Sequence, residues 1–270
     1  MIKEYINNKE FLNSHLEYLE KNEIKNNLII GVAQKANNDS DFFVSSEING
    51  MLLLGVLAGK KLIISANTLN EDPYIEMINY LRKTSYPGII GEKETCLIYS
   101  KVFQRLISKP LVEVMKQRIY YCDKILSDYC KTEVFRLAKR DDFEVLRFWI
   151  NDFYKEIGEE LKLEESDKIV LDYIDNNRLF VLEVAARLVS MAGRTRPLRN
   201  SETVSMVYTP KTLRKKGFAS KVVEGTTRVL MQEKKMVTLY TDLSNPTSNS
   251  IYMKIGFKPY CDSLVMEILK

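Results

Sequence analysis

Val204-Ser205-Met206-Val207-Tyr208-Thr209-Pro210-Lys211-Thr212-Leu213-Arg214-Lys215-Lys216-Gly217-Phe218-Ala219-Ser220 changes character twice. Ser205, Val207 and Thr209 alternate with Val204, Met206 and Tyr208, which is the period of a strand. Pro210 cannot donate to a central ladder, so the strand ends there. A basic loop follows, and Gly217 and Ala219 stand where a helix begins, small enough to let another group approach the backbone. The first N–H groups of a helix have no partner inside it, and the helix dipole adds positive character at the same end. Arg214, Lys215 and Lys216 add full charges. The combination describes an anion site suited to a pyrophosphate. A plain strand-to-helix connection with a solvated basic loop is the alternative. The stretch is not a Walker loop, because G-x-x-x-x-G-K-[ST] is absent. Nor is it a dinucleotide fingerprint, because the first two glycines of G-x-G-x-x-G are missing.

Further on, Leu239-Tyr240-Thr241-Asp242-Leu243-Ser244-Asn245-Pro246-Thr247-Ser248-Asn249-Ser250-Ile251-Tyr252-Met253-Lys254-Ile255-Gly256-Phe257 reads as strand, turn and helix. Asn249 and Tyr252 lie on one helix face, and Gly256 ends the helix at its C′ position. Asn245 can donate and accept hydrogen bonds from the loop mouth. Tyr252 reads either as a core aromatic or as a functional phenol.

Working outward, the second half reads β-α-α-β-β-β-α-β-α-β: strands at 134–137, 178–184, 187–192, 203–208, 237–241 and 263–269, with helices after Asp141-Asp142 and at 166–175, 216–233 and 247–254. The first half has a similar order. Helices at its start carry Phe11, Leu12, His15, Leu16 and Leu19 on one stripe, and a second helix spans 24–35. Strands follow at 42–46, 51–57 and 61–65, turned by Gly50 and by Gly59-Lys60. A helix over 74–83, a strand near 88–90, a helix over 92–108 and a strand near 118–122 complete it. Residues 37–41 read as a turn; they lack the glycine and terminal glutamate of a calcium loop. The expected fold is a mixed α/β arrangement of two related domains, 1–130 and 131–270, divided near 124–131.

Composition narrows the chemistry. The 270 residues carry 40 basic and 36 acidic side chains, a balance that does not argue for a nucleic-acid partner. Cys96, Cys122, Cys130 and Cys261 form no C-x-x-C, and the single histidine, His15, is far from them, which argues against a zinc site. His15 reads as a helix-surface residue, so acid–base work falls to Tyr, Glu, Asp or water. The longest apolar stretch, 51–58, is too short to span a bilayer. A reduced, cytoplasmic protein with no membrane partner is the natural reading.

The two stretches together resemble the motifs of the GNAT superfamily, the Gcn5-related N-acetyltransferases. Arg214-x-x-Gly217-x-Ala219 matches the family's [RQ]-x-x-G-x-[GA] after a strand, and Asn245, Asn249, Tyr252 and Gly256-Phe257 match its second motif. The resemblance covers residues 133 to 270. The first half resembles the family only in element order; its segment 65–70 has no Arg-x-x-Gly-x-Ala, so a degenerate repeat unable to hold pyrophosphate is expected there.

The resemblance implies acetyl-CoA as cosubstrate, no metal, and transfer of acetyl to a small-molecule or peptide amine. It places Met206, Val207, Tyr208 and Thr209 along the pantetheine arm, with Val207 and Thr209 offering backbone groups. Arg214, Lys215, Lys216, Gly217, Phe218, Ala219 and Ser220 surround the pyrophosphate. Asn245 contacts the cofactor arm, Asn249 and Tyr252 lie near the thioester, and Tyr252 is the implied general acid. Glu183 and a water chain are the candidate bases. Residues 151–166 and 194–201 are expected to line the acceptor side, where Arg194, Arg196 and Arg199 read as a solvated hairpin tip or, alternatively, as charges that favour an anionic acceptor. An acetyl-CoA sensor without turnover is the alternative, and a nucleic-acid binder is disfavoured because no aromatic platform interleaves the basic residues.

Overall fold

A computed structural model describes residues 1–36, 38, 40–59, 61–129 and 133–269. Parts of the turns read at 37–41 and at Gly59-Lys60, and the expected boundary at 130/131, lie outside the described residues.

The first half runs β1 (Ile2–Tyr5), α1 (Asn8–Glu20), α2 (Glu23–Lys35), β2 (Phe42–Ile48), β3 (Met51–Leu57), β4 (Leu62–Ala66), α3 (Asp72–Tyr80), β5 (Gly88–Glu92), α4 (Lys93–Ile107) and β6 (Leu111–Cys122). The second runs β7 (Val134–Leu137), α5 (Phe143–Glu156), α6 (Leu163–Asp175), β8 (Leu179–Val184), β9 (Arg187–Thr195), β10 (Ser201–Tyr208), α7 (Phe218–Leu230), β11 (Met236–Asp242), α8 (Pro246–Ile255) and β12 (Lys258–Ile268). The two runs have the same order, element for element. The likeness expected from the sequence becomes complete once β1, a short strand that composition does not announce, is added.

Contacts divide the chain into two compact units that are not contiguous in sequence. The first holds Met1–Tyr120, Tyr240–Pro246 and Pro259–Lys270; the second holds Tyr121–Leu239 and Thr247–Lys258. The stretch expected as one domain, 131–270, therefore gives residues 240–246 and 259–270 to the first unit. The reason is pairing. β12 lies antiparallel to β5, from Ser263 opposite Glu92 to Glu267 opposite Gly88, and Arg118 on β6 forks onto Asp262 at 2.6 and 3.2 Å.

In the first unit the strand order is β1-β2-β3-β4-β5-β12-β6, antiparallel from β1 to β4 and parallel between β4 and β5. α3 and α4 bury Tyr74, Met77, Ile78, Tyr99, Val102 and Phe103 against this sheet. His15 departs from the expected helix surface. It is 7% exposed, and Nε2 meets the Tyr5 hydroxyl at 2.5 Å, a partner that only β1 supplies. Burial drives its pKa down to about 4.

In the second unit the order is β11-β10-β9-β8-β7. Leu146, Trp149 and Ile150 of α5 and Val170 and Ile174 of α6 pack on Val181, Met191, Met206 and Tyr208. α7 packs on β8, β9 and β10 and buries Val222, Val223 and Leu230. Gly225 lies so close to the Phe135 ring that a Cβ would stand 2.6 Å from it. Glu224, fully buried on α7, accepts hydrogen bonds from Ser127 Oγ, the Tyr129 N–H and Arg228 Nε, pinning the segment that precedes β7.

Candidate functional site

β10 and β11 run parallel from Ser201 opposite Met236 to Val204 opposite Leu239, where their ladder ends. On its other edge β10 pairs with β9 through Ser205 and Gly193, then Tyr208 and Met191. One extra residue is thus inserted on β10, a bulge, and Met206 there has φ 46°. A left-handed conformation at a non-glycine residue is strained and collects at functional positions. The bulge turns β10 away from the ladder, and residues 205–208 run on beyond the last β10–β11 pair. Ser205 Oγ, next to the bulge, is buried without a hydrogen-bond partner.

The side chains of Met206 and Tyr208 point into the α5–α6 core, 7% and 4% exposed. Val207 is half-buried. Ser190 Oγ donates to the Tyr208 carbonyl at 3.0 Å and meets Thr209 Oγ1 at 2.8 Å. The Tyr208 hydroxyl donates to Asp152 Oδ2 at 3.1 Å. Burial, with the charge of Asp152, pushes this phenol up to about 12.

After β10 the chain passes a short turn at Lys211–Leu213 and reaches left-handed Lys215 (φ 63°) and Gly217 (φ 80°). Gly217 is the N-cap of α7 and has no side chain to cap it. A Cβ built there meets nothing within 4 Å. The first turn of α7, with Phe218, Ala219 and Ser220, thus presents amides toward open space, the geometry of an anion seat. Lys215 and Lys216 are exposed beside it. Arg214 behaves differently from its expected role as a ready charge. Its Nε donates to the Thr209 carbonyl at 2.9 Å, and Nη2 spans the two oxygens of Glu156 at 2.6 and 2.8 Å. It straps the loop to the end of β10 and to α5.

Asn245 belongs to the first unit, in a turn where its N–H donates to the Asp242 carbonyl at 3.1 Å. Asn249 and Tyr252 belong to the second, on α8. Tyr252 is 9% exposed and sits edge-on to Phe257, with centroids 6.1 Å apart.

Two expectations fail. Glu183 cannot serve as an open base: Arg136 holds it at 2.8 Å while binding Asp142 with two further bonds of 2.7 and 2.9 Å. Arg194 is not available to an anionic acceptor, since it pairs with buried Glu202 through two bonds of 2.7 Å. Two residues that the sequence did not single out, Asp152 and Glu156, stand beside β10 and its loop. Their only signal was a pair of carboxylates one turn apart on an amphipathic helix.

The corresponding places in the first unit are built differently. The start of α3 is acidic, and Asn70 already accepts from the Asp72 N–H at 2.9 Å. Glu71 beside it is tied to Lys101 and Arg105. At the ends of β4 and β5 a cavity of about 20 Å³, lined by Lys25, Asn26, Ser65, Glu92 and Thr95 among others, has room for about one water.

Residues 185–265 match the family model described as FR47-like protein, a span that includes both stretches quoted at the outset. The chain also matches solved structures along its whole length. It has a tandem GNAT-like fold. One such structure is an acetyltransferase of the GNAT family from Colwellia psychrerythraea, with 13% identity, TM-score 0.63 and 100% of both chains covered. Another is a GCN5-related N-acetyltransferase from Kribbella flavida, with 11% identity, TM-score 0.65 and 92% of this chain and 95% of that one. A third is a tandem GNAT protein from the clavulanic acid biosynthesis pathway, with 9% identity, TM-score 0.58 and coverage of 100% and 98%. At such identities the likeness speaks for the GNAT-like fold and leaves the chemistry to the site. No curated protein matches the chain.

Proposed function

We propose that the second unit binds acetyl-CoA and that the protein transfers the acetyl group to an amine. The observation that carries this reading is the course of β10: bulged at Met206, past its ladder with β11 after Val204, and leading to an uncapped helix start at Gly217. A pantetheine arm can lie along the freed backbone of 206–209 as a strand would. Its pyrophosphate can take the first amides of α7, with Lys215 and Lys216 beside it. Asn249 contacts the cofactor in this reading. The amine attacks the thioester carbonyl, the N–C bond forms and the C–S bond breaks; the nitrogen sheds its proton to a water chain, and Tyr252 gives its proton to the departing thiolate. A backbone N–H of the open strand holds the developing oxyanion, and alignment of the two substrates supplies much of the acceleration.

The test is calorimetric titration with acetyl-CoA, followed by thiol release over a panel of amines. Binding should weaken when Lys215 and Lys216 are both replaced by Ala and when salt is raised. Tyr252→Phe should lower kcat on the order of 100-fold or more if the phenol is the general acid; full kcat in that variant rejects the role. Absence of acetyl-CoA binding rejects the whole reading, and binding without thiol release on any amine leaves a sensor.

A further inference from the structure

Ser205 Oγ is buried with both its donor and its acceptor functions idle. Hydroxyls around it in the same unit are matched. Thr203 meets Thr238 at 2.8 Å, Ser190 meets Thr209 at 2.8 Å, and Thr226 and Thr227 donate to carbonyls one turn back on α7. Asn27 Oδ1 also lacks a hydrogen bond, but the same amide donates through Nδ2 to the Ile24 carbonyl at 2.6 Å. In Ser205 the idle oxygen is the only polar atom of the side chain. A buried hydroxyl without a partner costs stability. The next residue, Met206, adds the cost of a left-handed backbone. Two adjacent residues of one strand thus both weaken the fold.

Their place on β10 says what the cost is for. Val204 makes the last rung of the β10–β11 ladder, opposite Leu239, and Ser205 follows it. An arm that starts at the amides of α7 and lies along β10 runs out of open edge there, because β11 occupies that edge from Val204 backward. Thr209 to Ser205 is four strand steps, about 13 Å. The far end of the arm, which carries the reacting group, therefore comes to rest beside Ser205. At that end the thioester carbonyl is the group that can accept a hydrogen bond. The hydroxyl now leans toward β9, where a Cβ built on Gly193 would stand 3.3 Å from it. The bare glycine leaves it that room. Ser205 as a whole is only half-buried. One rotation between staggered wells of Cα–Cβ turns the oxygen toward the open edge, and no hydrogen bond is broken when it moves.

We propose that Ser205 Oγ donates a hydrogen bond to the thioester carbonyl oxygen of acetyl-CoA, which makes Ser205 a catalytic residue that holds the developing oxyanion together with the backbone N–H. This rests on the acetyl-transfer reading above. The fold leaves the hydroxyl unmatched and the substrate supplies its partner, an exchange of stability for activity.

The experiment titrates the whole protein calorimetrically with acetyl-CoA and with S-ethyl-CoA, a thioether that lacks the carbonyl. Ser205→Ala should weaken acetyl-CoA by about threefold or more and leave S-ethyl-CoA within about twofold of the parent. For an amine that turns over, kcat should fall by about tenfold or more. The thermal midpoint of the variant should equal or exceed that of the parent, since the fold loses no hydrogen bond. An unchanged acetyl-CoA Kd, equal weakening of both ligands, a kcat equal to the parent's, or a lowered thermal midpoint each overturns the assignment while the acetyl-transfer reading stands. Failure of the parent protein to bind acetyl-CoA is the separate outcome that removes that reading and the assignment with it.

Discussion

Arg214 reaches across from the loop after β10 to grip both oxygens of Glu156 on α5, at 2.6 and 2.8 Å. The side chains are 41% and 33% exposed. An ion pair this open contributes about 0–1 kcal/mol, so an arriving phosphate can displace it. The residue that opens the Arg-x-x-Gly-x-Ala match is thus held by a carboxylate.

Glu156→Gln should therefore tighten acetyl-CoA binding, by about two- to fivefold, because the ligand no longer competes for the guanidinium. Calorimetric titration at low salt measures it. An unchanged Kd would mean that the phosphates never engage Arg214.

Gly225→Ala should destabilise the second unit by about 1–3 kcal/mol, since the added methyl meets the Phe135 ring. Adding Phe135→Leu should recover part of the loss, a coupling that a double-mutant cycle of denaturant midpoints reads directly. Strict additivity would place the strain elsewhere.

His15 makes stability depend on pH with a defined sign. Its folded pKa, near 4, lies below the ordinary value of 6.5, so between these values the unfolded chain binds more protons. Stability is full above pH 6.5 and falls as the pH drops toward 4, by on the order of 1–3 kcal/mol. Thermal midpoints of the parent and His15→Gln should converge over that window. Parallel curves would show that His15 does not titrate in the unfolding equilibrium.

Glu224→Ala leaves Ser127, the Tyr129 N–H and Arg228 without their buried acceptor. A loss of about 2–4 kcal/mol is expected, together with faster proteolysis within 121–129. Denaturant unfolding and limited digestion check the two parts.

Much of this was written locally. The alternation of 203–208 and the Gly217 helix start are each decided within a few residues, so sequence reading found them. What it missed depends on distant partners. His15 looks like a surface residue until β1 brings Tyr5 to it. Met206 sits in an alternating pattern that hides a bulge, because the extra residue shows only against the register of β9. The Arg214–Glu156 strap, the Asp152–Tyr208 contact and the pairing of Glu183 with Arg136 join residues far apart in the chain, and no spacing rule encodes them. The placement of β12 beside β5 belongs to the same class.

That placement also sets a timetable. As the polypeptide emerges from the ribosome, β1 to β5 can assemble early, yet the edge of β5 stays bare until the last strand has been made, since Glu92 waits for Ser263. Closing so long a loop is slow, and an unpaired edge is an invitation to other strands. The first unit, though first to be synthesised, is the last to be finished, and a chain cut short before residue 259 would leave that edge open for good.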